Sequence, residues 1–418
     1  MTLLLEEHHD LPLASLQVVF RAGAALDPEG REGLGRHAAE LMRRGTNTRA
    51  RGELDLALDA LGASLEPEVA HDSVVMSLHC LSRHLDAAVR ILDDILRAPR
   101  FAADEHEKLR RESLALLDDA RDDDGTLAGR FFDRYALAGH AYGRSIVGTT
   151  ASLGALELPE VVAWSGQHLT HGFLALSGDV DLAHAQAIAY RLGFANAVAT
   201  TPPPAPTFRR GQRLALVDKP ERTQSHIILG HPGPAPRDPQ QLALAVALTA
   251  FGGSFTSRLM TEVRVKRGWS YSASAGLART RAGHTVRIRT MPAAEQTKDT
   301  LELVLSLWRE FARDGLRQDE LDFAKSYLEG RWAFEIDTAD DRLEQRIDAV
   351  IMDLPADAPA TFVPRLRALT LDQVNEAVHA WVRPDDTTII VTATAEDLAA
   401  EIDGLVDAKL EVVAYDSY

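Results

Sequence analysis

Apolar and polar residues alternate in one stretch of each half of the chain, and both stretches reach an Asp-Pro pair. The first, LPLASLQVVFRAGAALDP, ends at Asp27-Pro28, and the second, RTQSHIILGHPGPAPRDP, ends at Asp238-Pro239. A period of two residues predicts a β-strand with one buried face. The two Asp residues lie 211 positions apart (238 − 27), which predicts an internal repeat.

Further blocks follow in the same order in both halves. A helix-like stretch comes next, GLGRHAAELMRR in the first half and QQLALAVALTAF in the second. Long amphipathic segments come after it, and then a helix followed by a β-branched strand. Val161 of the first such helix corresponds to Val374 of the second at an offset of 213 (374 − 161). We therefore predict two similar α+β domains, each a mainly antiparallel sheet with helices on one side.

A run of prolines marks the boundary between the two halves. Pro202-Pro203-Pro204 can continue neither a helix nor a central strand, and such a run makes a semi-rigid spacer. We expect a first domain at residues 1–200, a linker at residues 201–213 and a second domain at residues 214–418.

Composition and charge narrow the classes of protein. The chain is 45% hydrophobic and 26% charged, which is typical of a soluble globular protein. Its formal net charge of −17 argues against nucleic acid or an anionic membrane as the partner. The single cysteine, Cys80, excludes an intrachain disulfide and a cysteine-rich zinc site. Neither a signal peptide nor a membrane span is predicted, so we expect a cytoplasmic protein.

The stretch GLGRHAAELMRRGT, residues 33–46, resembles the zinc helix of the pitrilysin (insulinase-like) metallopeptidases, which include mitochondrial processing peptidase. A catalytic zinc needs three protein ligands and an open position for water. The family supplies two of them from H-x-x-E-H, in which the Glu acts as the base. An ungapped alignment puts Arg36 at the first His, Ala39 at the Glu and Glu40 at the second His.

The third family ligand is a Glu in a later helix, and the matching position here carries Leu117. A shifted alignment would use His37 and Glu40, but Leu41 then replaces the second His. A slip of one residue in the later helix would offer Asp118. The resemblance therefore implies a family helix without a metal, and no cofactor in this chain.

In the second half, FGGSFTSRLMTEVRVKRGWSYSASAG resembles the family stretch in which an Arg, and a Tyr seven residues later, assist catalysis. Arg264 and Tyr271 match them (271 − 264 = 7). We predict a helix over Ser257 to Lys266 that Gly268 ends, and then a strand, so that both side chains converge. The alternative is a surface ion pair of Arg264 with Glu262 or another acid, with Tyr271 only half-buried in packing.

In some bacterial members of this family, the zinc site and the Arg–Tyr pair lie on separate chains. The resemblance implies that this chain is the non-zinc subunit of a heterodimeric zinc endopeptidase. Its partner would be a homologous H-x-x-E-H subunit that holds the zinc, and its substrate an unstructured peptide. The alternatives are an inert structural subunit, like the core proteins of the respiratory bc complex, or a stand-alone peptide-binding protein. A further alternative is an independent hydrolase that uses His37, Glu40 and Asp118.

Overall fold

The computed structural model describes residues 3–193 and 201–417, so residues 194–200, the end of the predicted first domain, lie outside the described residues. The strands are β1 (Leu3–Glu7), β2 (Leu13–Phe20), β3 (Ser64–Val69), β4 (Val74–Leu81), β5 (Gly172–Gly178), β6 (Arg213–Asp218), β7 (His226–Pro232), β8 (Ser270–Ala278), β9 (Thr285–Pro292), β10 (Thr388–Ala393) and β11 (Leu410–Ala414).

The α-helices of the first half are α1 (Leu34–Met42), α2 (Arg51–Asp59), α3 (Leu85–Arg97), α4 (Ala103–Asp122), α5 (Asp124–Ala136), α6 (Thr150–Gly154), α7 (Leu158–His168) and α8 (Leu182–Leu192). Those of the second half are α9 (Gln241–Leu248), α10 (Thr297–Asp314), α11 (Gln318–Glu335), α12 (Ala339–Ile351), α13 (Ala358–Ala368), α14 (Leu371–Trp381) and α15 (Ala395–Ile402). Within residues 3–193 and 201–417, no helix is long and apolar enough to cross a membrane.

The strands form two sheets with the same internal topology. Across the described ranges, the first sheet has the order β1-β5-β2-β4-β3 and the second the order β11-β6-β10-β7-β9-β8. Without β11, each strand of the second sheet takes the place of its counterpart in the first. The pairs β1–β5 and β6–β10 are parallel, and the pairs that continue each sheet to β3 and β8 are antiparallel. The α+β class with mainly antiparallel sheets is confirmed.

The chain forms two compact units that exchange segments between its halves. Unit 1 contains the described residues of Met1–Leu117, Arg144–Pro203 and Ala333–Pro359, and unit 2 those of Asp118–Gly143, Pro204–Trp332 and Ala360–Tyr418. Helix α5 thus belongs to unit 2 and helix α12 to unit 1. The predicted ranges 1–200 and 214–418 do not contain these exchanges, because periodicity shows that a helix has an apolar face but not which sheet covers it.

Unit 1 has apolar side chains packed on both faces of its sheet. Leu16 and its neighbours on one face belong to a core shared with α1, α3 and α7. On the other face, Val19 and Phe173 pack with Leu343 and Ile347 of α12. We predicted helices on one side only, and the exchanged helix covers the second side. Strand β2 is therefore buried along nearly its whole length, as expected for a strand covered on both faces.

Unit 2 follows the same plan with its own core and its own exchanged helix. Leu244 of α9, Trp308 of α10 and Val374 of α14 share one apolar core with the sheet. Helix α5 packs against β7 and β10. Polar contacts fix it there, since Lys219 Nζ lies 2.5 Å from a carboxylate oxygen of Asp124.

Candidate functional site

Helix α1, which carries the degenerate zinc motif, begins at a buried carboxylate. The two carboxylate oxygens of Asp27 accept hydrogen bonds from the backbone amides of Gly33 and Gly35, at 3.0 and 2.9 Å. These amides belong to the unpaired N–H groups of a helix start. Burial outweighs both hydrogen bonds and raises the pKa of Asp27 to about 7. The Asp of the sequence repeat therefore has a structural role at the start of this helix.

The two α1 residues that the ungapped alignment puts at the family's zinc-binding histidines form an ion pair. Nε of Arg36 lies 2.7 Å from a carboxylate oxygen of Glu40, one helical turn further on. Ala39, at the position of the catalytic Glu, is fully buried, and Leu117, at the third ligand position, is buried in the apolar core of unit 1. A guanidinium, a methyl group and an isobutyl group cannot coordinate zinc, so these residues do not fit the family's metal.

The histidine next to this pair is engaged inside the core. His37 is 2% exposed, and its Nε2 lies 2.8 Å from Nδ1 of His106. Burial lowers the pKa of His37 to about 3. Asp118 pairs instead with Arg121 at 2.7 Å. Among residues 3–193 and 201–417, no group of three His, Cys, Asp or Glu side chains could hold a metal ion, and the alternative zinc set of His37, Glu40 and Asp118 is not assembled.

In unit 2, the segment that carries Arg264 contains two π-helical turns, Thr249–Gly253 and Met260–Val265. The predicted helix is therefore present, but part of it has a wider turn than an α-helix. Gly268 ends it with a positive φ of 67°, and its amide donates to the carbonyl of Arg264 at 2.9 Å. Insertions of π-helix are frequent at functional sites.

Close packing between this segment and strand β8 depends on a glycine. A Cβ added to Gly252 would lie 2.5 Å from the backbone nitrogen of Ala275 and 2.7 Å from a side-chain carbon of Leu259. Only a residue without a side chain allows the segment to lie this close to the strand. This accounts for the first glycine of the family-like Gly-Gly pair.

Strand β8 is the edge strand of its sheet and contains a β-bulge at Tyr271. Ser270 pairs with Pro292 and Ala273 with Thr290, so that Tyr271 and Ser272 together face one residue of β9. A bulge bends an edge strand and changes the direction of the side chain that it carries.

Two buried hydroxyl groups hold this bulge. Oγ of Ser270 accepts from the amides of Ser272 and Met291, at 3.3 and 3.1 Å, and donates to the carbonyl of Ser272 at 2.7 Å. Oγ1 of Thr290 donates to the same carbonyl at 3.1 Å. The bulge therefore has its own side-chain hydrogen bonds and does not depend on the regular ladder.

The structure brings Arg264 and Tyr271 together. The guanidinium carbon of Arg264 lies 4.5 Å from the centroid of the Tyr271 ring and 4.5 Å from that of Phe255. The cation therefore lies against two aromatic rings, at a distance typical of cation–π contacts. Tyr271 is 81% exposed and Phe255 62% exposed, so the group faces solvent.

The predicted alternative, an ion pair between Arg264 and Glu262, is not what the structure contains. Glu262 pairs with Lys266 at 2.5 Å and with Arg267 at 2.7 Å, and hydrogen bonds from these two cations lower the pKa of Glu262. Within the described parts of the chain, no carboxylate pairs with Arg264 and no group hydrogen-bonds the hydroxyl of Tyr271. Both donors are free to bind a ligand.

A cleft of about 740 Å³ borders the same segment. It is lined by Arg258 and Glu320, whose side chains are 2.5 Å apart, and by Glu262 and Lys266. Arg264 does not line it. The pair of Arg264 and Tyr271 therefore lies outside this cleft.

Sequence reasoning did not identify Phe255, Ser270 or Thr290. The one available signal for Phe255 was a single phenylalanine among small and polar residues, between Gly-Gly and Ser-Arg. The two hydroxyl residues had no comparable signal, because a register shift between strands depends on residues far apart in the sequence.

Comparisons with known proteins agree with this description. The family profile described as insulinase (peptidase family M16) matches residues 2–150, and the one described as peptidase M16 inactive domain matches residues 173–328. A crystal structure of a peptidase M16 inactive domain from Pseudomonas fluorescens superposes with a TM-score of 0.84 at 24% identity, covering 93% of this chain and 95% of that chain.

Some curated relatives are named as non-peptidase proteins and others as zinc proteases. A Helicobacter pylori protein named non-peptidase homolog YmxG is 24% identical over 393 residues, which cover 93% of this chain and 90% of the relative. A Mycobacterium tuberculosis protein named uncharacterized zinc protease is 28% identical over 316 residues, which cover 73% of this chain and 71% of the relative.

Proposed function

The chain belongs to the insulinase (M16) peptidase family, and from that premise we propose that it is the non-zinc subunit of a two-chain metalloendopeptidase. The observation that carries the proposal is the pair of Arg264 and the exposed Tyr271, whose guanidinium and hydroxyl donors have no partner among the described residues. In the same chain, the zinc-ligand positions are occupied by the Arg36–Glu40 ion pair and by Leu117. The Helicobacter pylori relative, whose name calls it a non-peptidase homolog, is consistent with this assignment.

In this proposal the partner is a homologous subunit whose H-x-x-E-H residues would hold a zinc ion, and that ion would activate the attacking water. This chain binds the carbonyl of the scissile peptide bond. The guanidinium of Arg264 and the phenol O–H of Tyr271 donate hydrogen bonds to the carbonyl oxygen as it gains negative charge. Donors fixed before the reaction stabilise that charge without reorganising, and the loss of one typically costs about 10²–10³ in rate.

The position of Tyr271 suits an extended substrate. It lies on β8, whose outer edge has no neighbouring strand among the described residues. An extended peptide binds such an edge by adding a strand, which favours unstructured peptides over folded proteins. We propose that a peptide lies along this edge, with its reacting carbonyl at Arg264 and Tyr271.

The test is peptidase activity with an internally quenched peptide, measured for each chain alone and for the co-expressed pair. We expect little activity from either chain alone and zinc, by elemental analysis, in the partner only. In the pair, Arg264→Ala and Tyr271→Phe should each lower kcat/KM at least about tenfold.

Two matched controls separate this effect from general surface changes. Arg267→Ala removes an exposed cation from the same segment, and Tyr190→Phe alters a tyrosine that is 91% exposed elsewhere; both should leave the rate unchanged. If Arg264→Ala and Tyr271→Phe behave like the controls, the chain is a structural or peptide-binding subunit. Stoichiometric zinc in this chain alone would instead favour the alternative of an independent hydrolase.

A further inference from the structure

Arg264 contacts aromatic rings and no carboxylate among the described residues, whereas the neighbouring cation, Arg267, has a carboxylate partner. Arg267 lies over the ring of Trp269 at 5.4 Å and also pairs with Glu262. The guanidinium carbon of Arg264 lies 4.5 Å from the centroids of two rings, those of Phe255 and Tyr271, and Arg264 has no carboxylate partner within the described residues. A carboxylate would occupy the N–H donors of the guanidinium. Aromatic faces restrict the planar group and leave those donors, which point outward in its plane, available.

Phe255, the second ring beside Arg264, is largely exposed to solvent. A phenylalanine that is 62% exposed keeps a large apolar surface in water. It lies in the short connection between the two π-helical turns, where the buried Ser257 fixes the backbone. The amide of Ser257 donates to the carbonyl of Ser254 at 3.2 Å, and its own carbonyl accepts from Thr261 at 2.9 Å. The ring of Phe255 therefore extends from a hydrogen-bonded turn and lies next to the guanidinium of Arg264.

We infer that Phe255 is a positioning residue for the proposed reaction, whose ring, together with that of Tyr271, holds the Arg264 guanidinium in the orientation that binds the substrate carbonyl. This inference rests on the proposed function and adds a residue to it. Phe255 acts through Arg264 and forms no hydrogen bond to the peptide. Its loss should lower kcat more than it raises KM, because an unrestrained Arg264 still attracts peptide but points correctly less often.

The experiment uses the complex of this chain with its zinc-bearing partner and three variants. Phe255→Leu keeps an apolar side chain but removes the aromatic face, and we expect kcat to fall about three- to fivefold with KM nearly unchanged. Phe255→Tyr restores the face and should restore kcat. Phe334→Leu, at a phenylalanine that is 79% exposed outside the site, should have no effect.

A double variant tests whether Phe255 acts through Arg264. In the Arg264→Ala background, Phe255→Leu should cause no additional loss. An equal loss in both backgrounds would mean that the ring itself contacts the peptide, and would overturn the inference. If Arg264→Ala lowers activity and Phe255→Leu does not, the inference fails while the proposed function stands.

A spectroscopic measurement on the full chain does not depend on activity. The Nε–H resonance of Arg264, assigned by its loss in Arg264→Ala, should carry a ring-current shift that changes in Phe255→Leu and is retained in Phe255→Tyr. An unchanged resonance in Phe255→Leu means that the ring does not hold the cation, and the inference is wrong. If the resonance shifts but Arg264→Ala has full activity, the ring holds the cation and it is the proposed function that fails, together with the catalytic role of Phe255.

Discussion

Arg36 and Glu40 form an ion pair across one turn of helix α1, at the two positions that the ungapped alignment matches to the family's zinc-binding histidines. Both side chains are only about a quarter exposed, 24% and 23%. The exchange of two metal ligands for two opposite charges gives this helix turn a contact that needs no metal. Pairs at this spacing stabilise a helix by roughly 0.2–0.5 kcal/mol. The ion pair therefore joins the same two positions but contributes far less free energy than a bound zinc ion does.

Two histidines at these positions should recover weak zinc binding without activity. The double variant Arg36→His/Glu40→His places two imidazoles at the i, i+4 spacing that zinc peptidases use on a helix. We expect calorimetry to detect zinc at least about tenfold tighter than for the unmodified chain. Peptidase activity should stay absent, since Ala39 provides no base and Leu117 no third ligand. Equal zinc affinity in the unmodified chain would contradict this reading of the helix.

Removal of the Ser270 hydroxyl should loosen the bulge that carries Tyr271. Ser270→Ala leaves the amides of Ser272 and Met291 without their acceptor. An unsatisfied buried donor costs about 1–3 kcal/mol, so we expect a loss of that size in the free energy of unfolding, measured with urea. Turnover by the complex should also fall. Ser274→Ala, at an exposed serine of the same strand, is the control and should change neither quantity.

An added methyl group at Gly252 should force the π-helical segment away from β8. The new Cβ would lie within 2.6 Å of both the backbone nitrogen and the Cβ of Ala275. Overpacking of this kind costs about 1–3 kcal/mol, which the urea midpoint should report. Gly276→Ala, on the same strand with open space around it, should be nearly neutral. A neutral Gly252→Ala would show that the segment can move without cost.

Acid should destabilise unit 2 through His231. Its Nδ1 donates to the carbonyl of Pro232 at 2.8 Å, and its Nε2 accepts from the amide of Arg383 at 3.1 Å, so a second proton would have no acceptor. Burial lowers the pKa of His231 from 6.5 to about 4. The unfolded chain then binds a proton that the folded chain excludes. The contribution of neutral His231 to the unfolding free energy is fully present above pH 6.5 and is lost as the pH falls from 6.5 toward 4.

Between pH 7.5 and 5.5, this group alone should cost about 1.3 kcal/mol of unfolding free energy. His231→Gln cannot titrate but retains a donor and an acceptor, so its stability should depend less on pH by that amount. The comparison uses urea unfolding at both pH values, followed by tryptophan fluorescence. Other buried groups also respond to pH. His284, whose pKa is lowered to about 4, acts in the same direction as His231, and Asp27, whose pKa is raised to about 7, acts in the opposite direction. The difference between variant and parent removes their effect. Parallel pH profiles would show that His231 is not responsible.

The sequence predicted those features that depend on local pattern. The alternation before Asp27 and Asp238 predicted strands, the repeat predicted two related α+β arrangements, and Gly268 marked the end of the Arg264 helix. The spacing of Arg264 and Tyr271 across a helix end and a strand led us to expect that they converge, and in the structure they do. The catalytic role of this pair stays a prediction.

Other features depend on contacts that no local pattern contains. The apolar spacing of Leu259, Met260 and Val263 fits α- and π-helical turns equally well, so the wider turn was not predicted. The bulge at Tyr271 depends on Thr290 and Met291 of the neighbouring strand. Arg36 and Glu40 have the i, i+4 spacing that permits an ion pair on a helix, but spacing alone does not show that the two side chains meet.

The exchange of α5 and α12 sets an order in which the molecule can be completed during synthesis. Val19 and Phe173 are made in the first half of the chain, but Leu343 and Ile347, which cover them, come near its end. A nascent chain released at the proline run would expose one apolar sheet face, and such surfaces promote aggregation. This face of the first sheet is therefore covered only after the second half of the chain has been made. If the gene were split at the proline run, we would expect two fragments that are stable only when they associate.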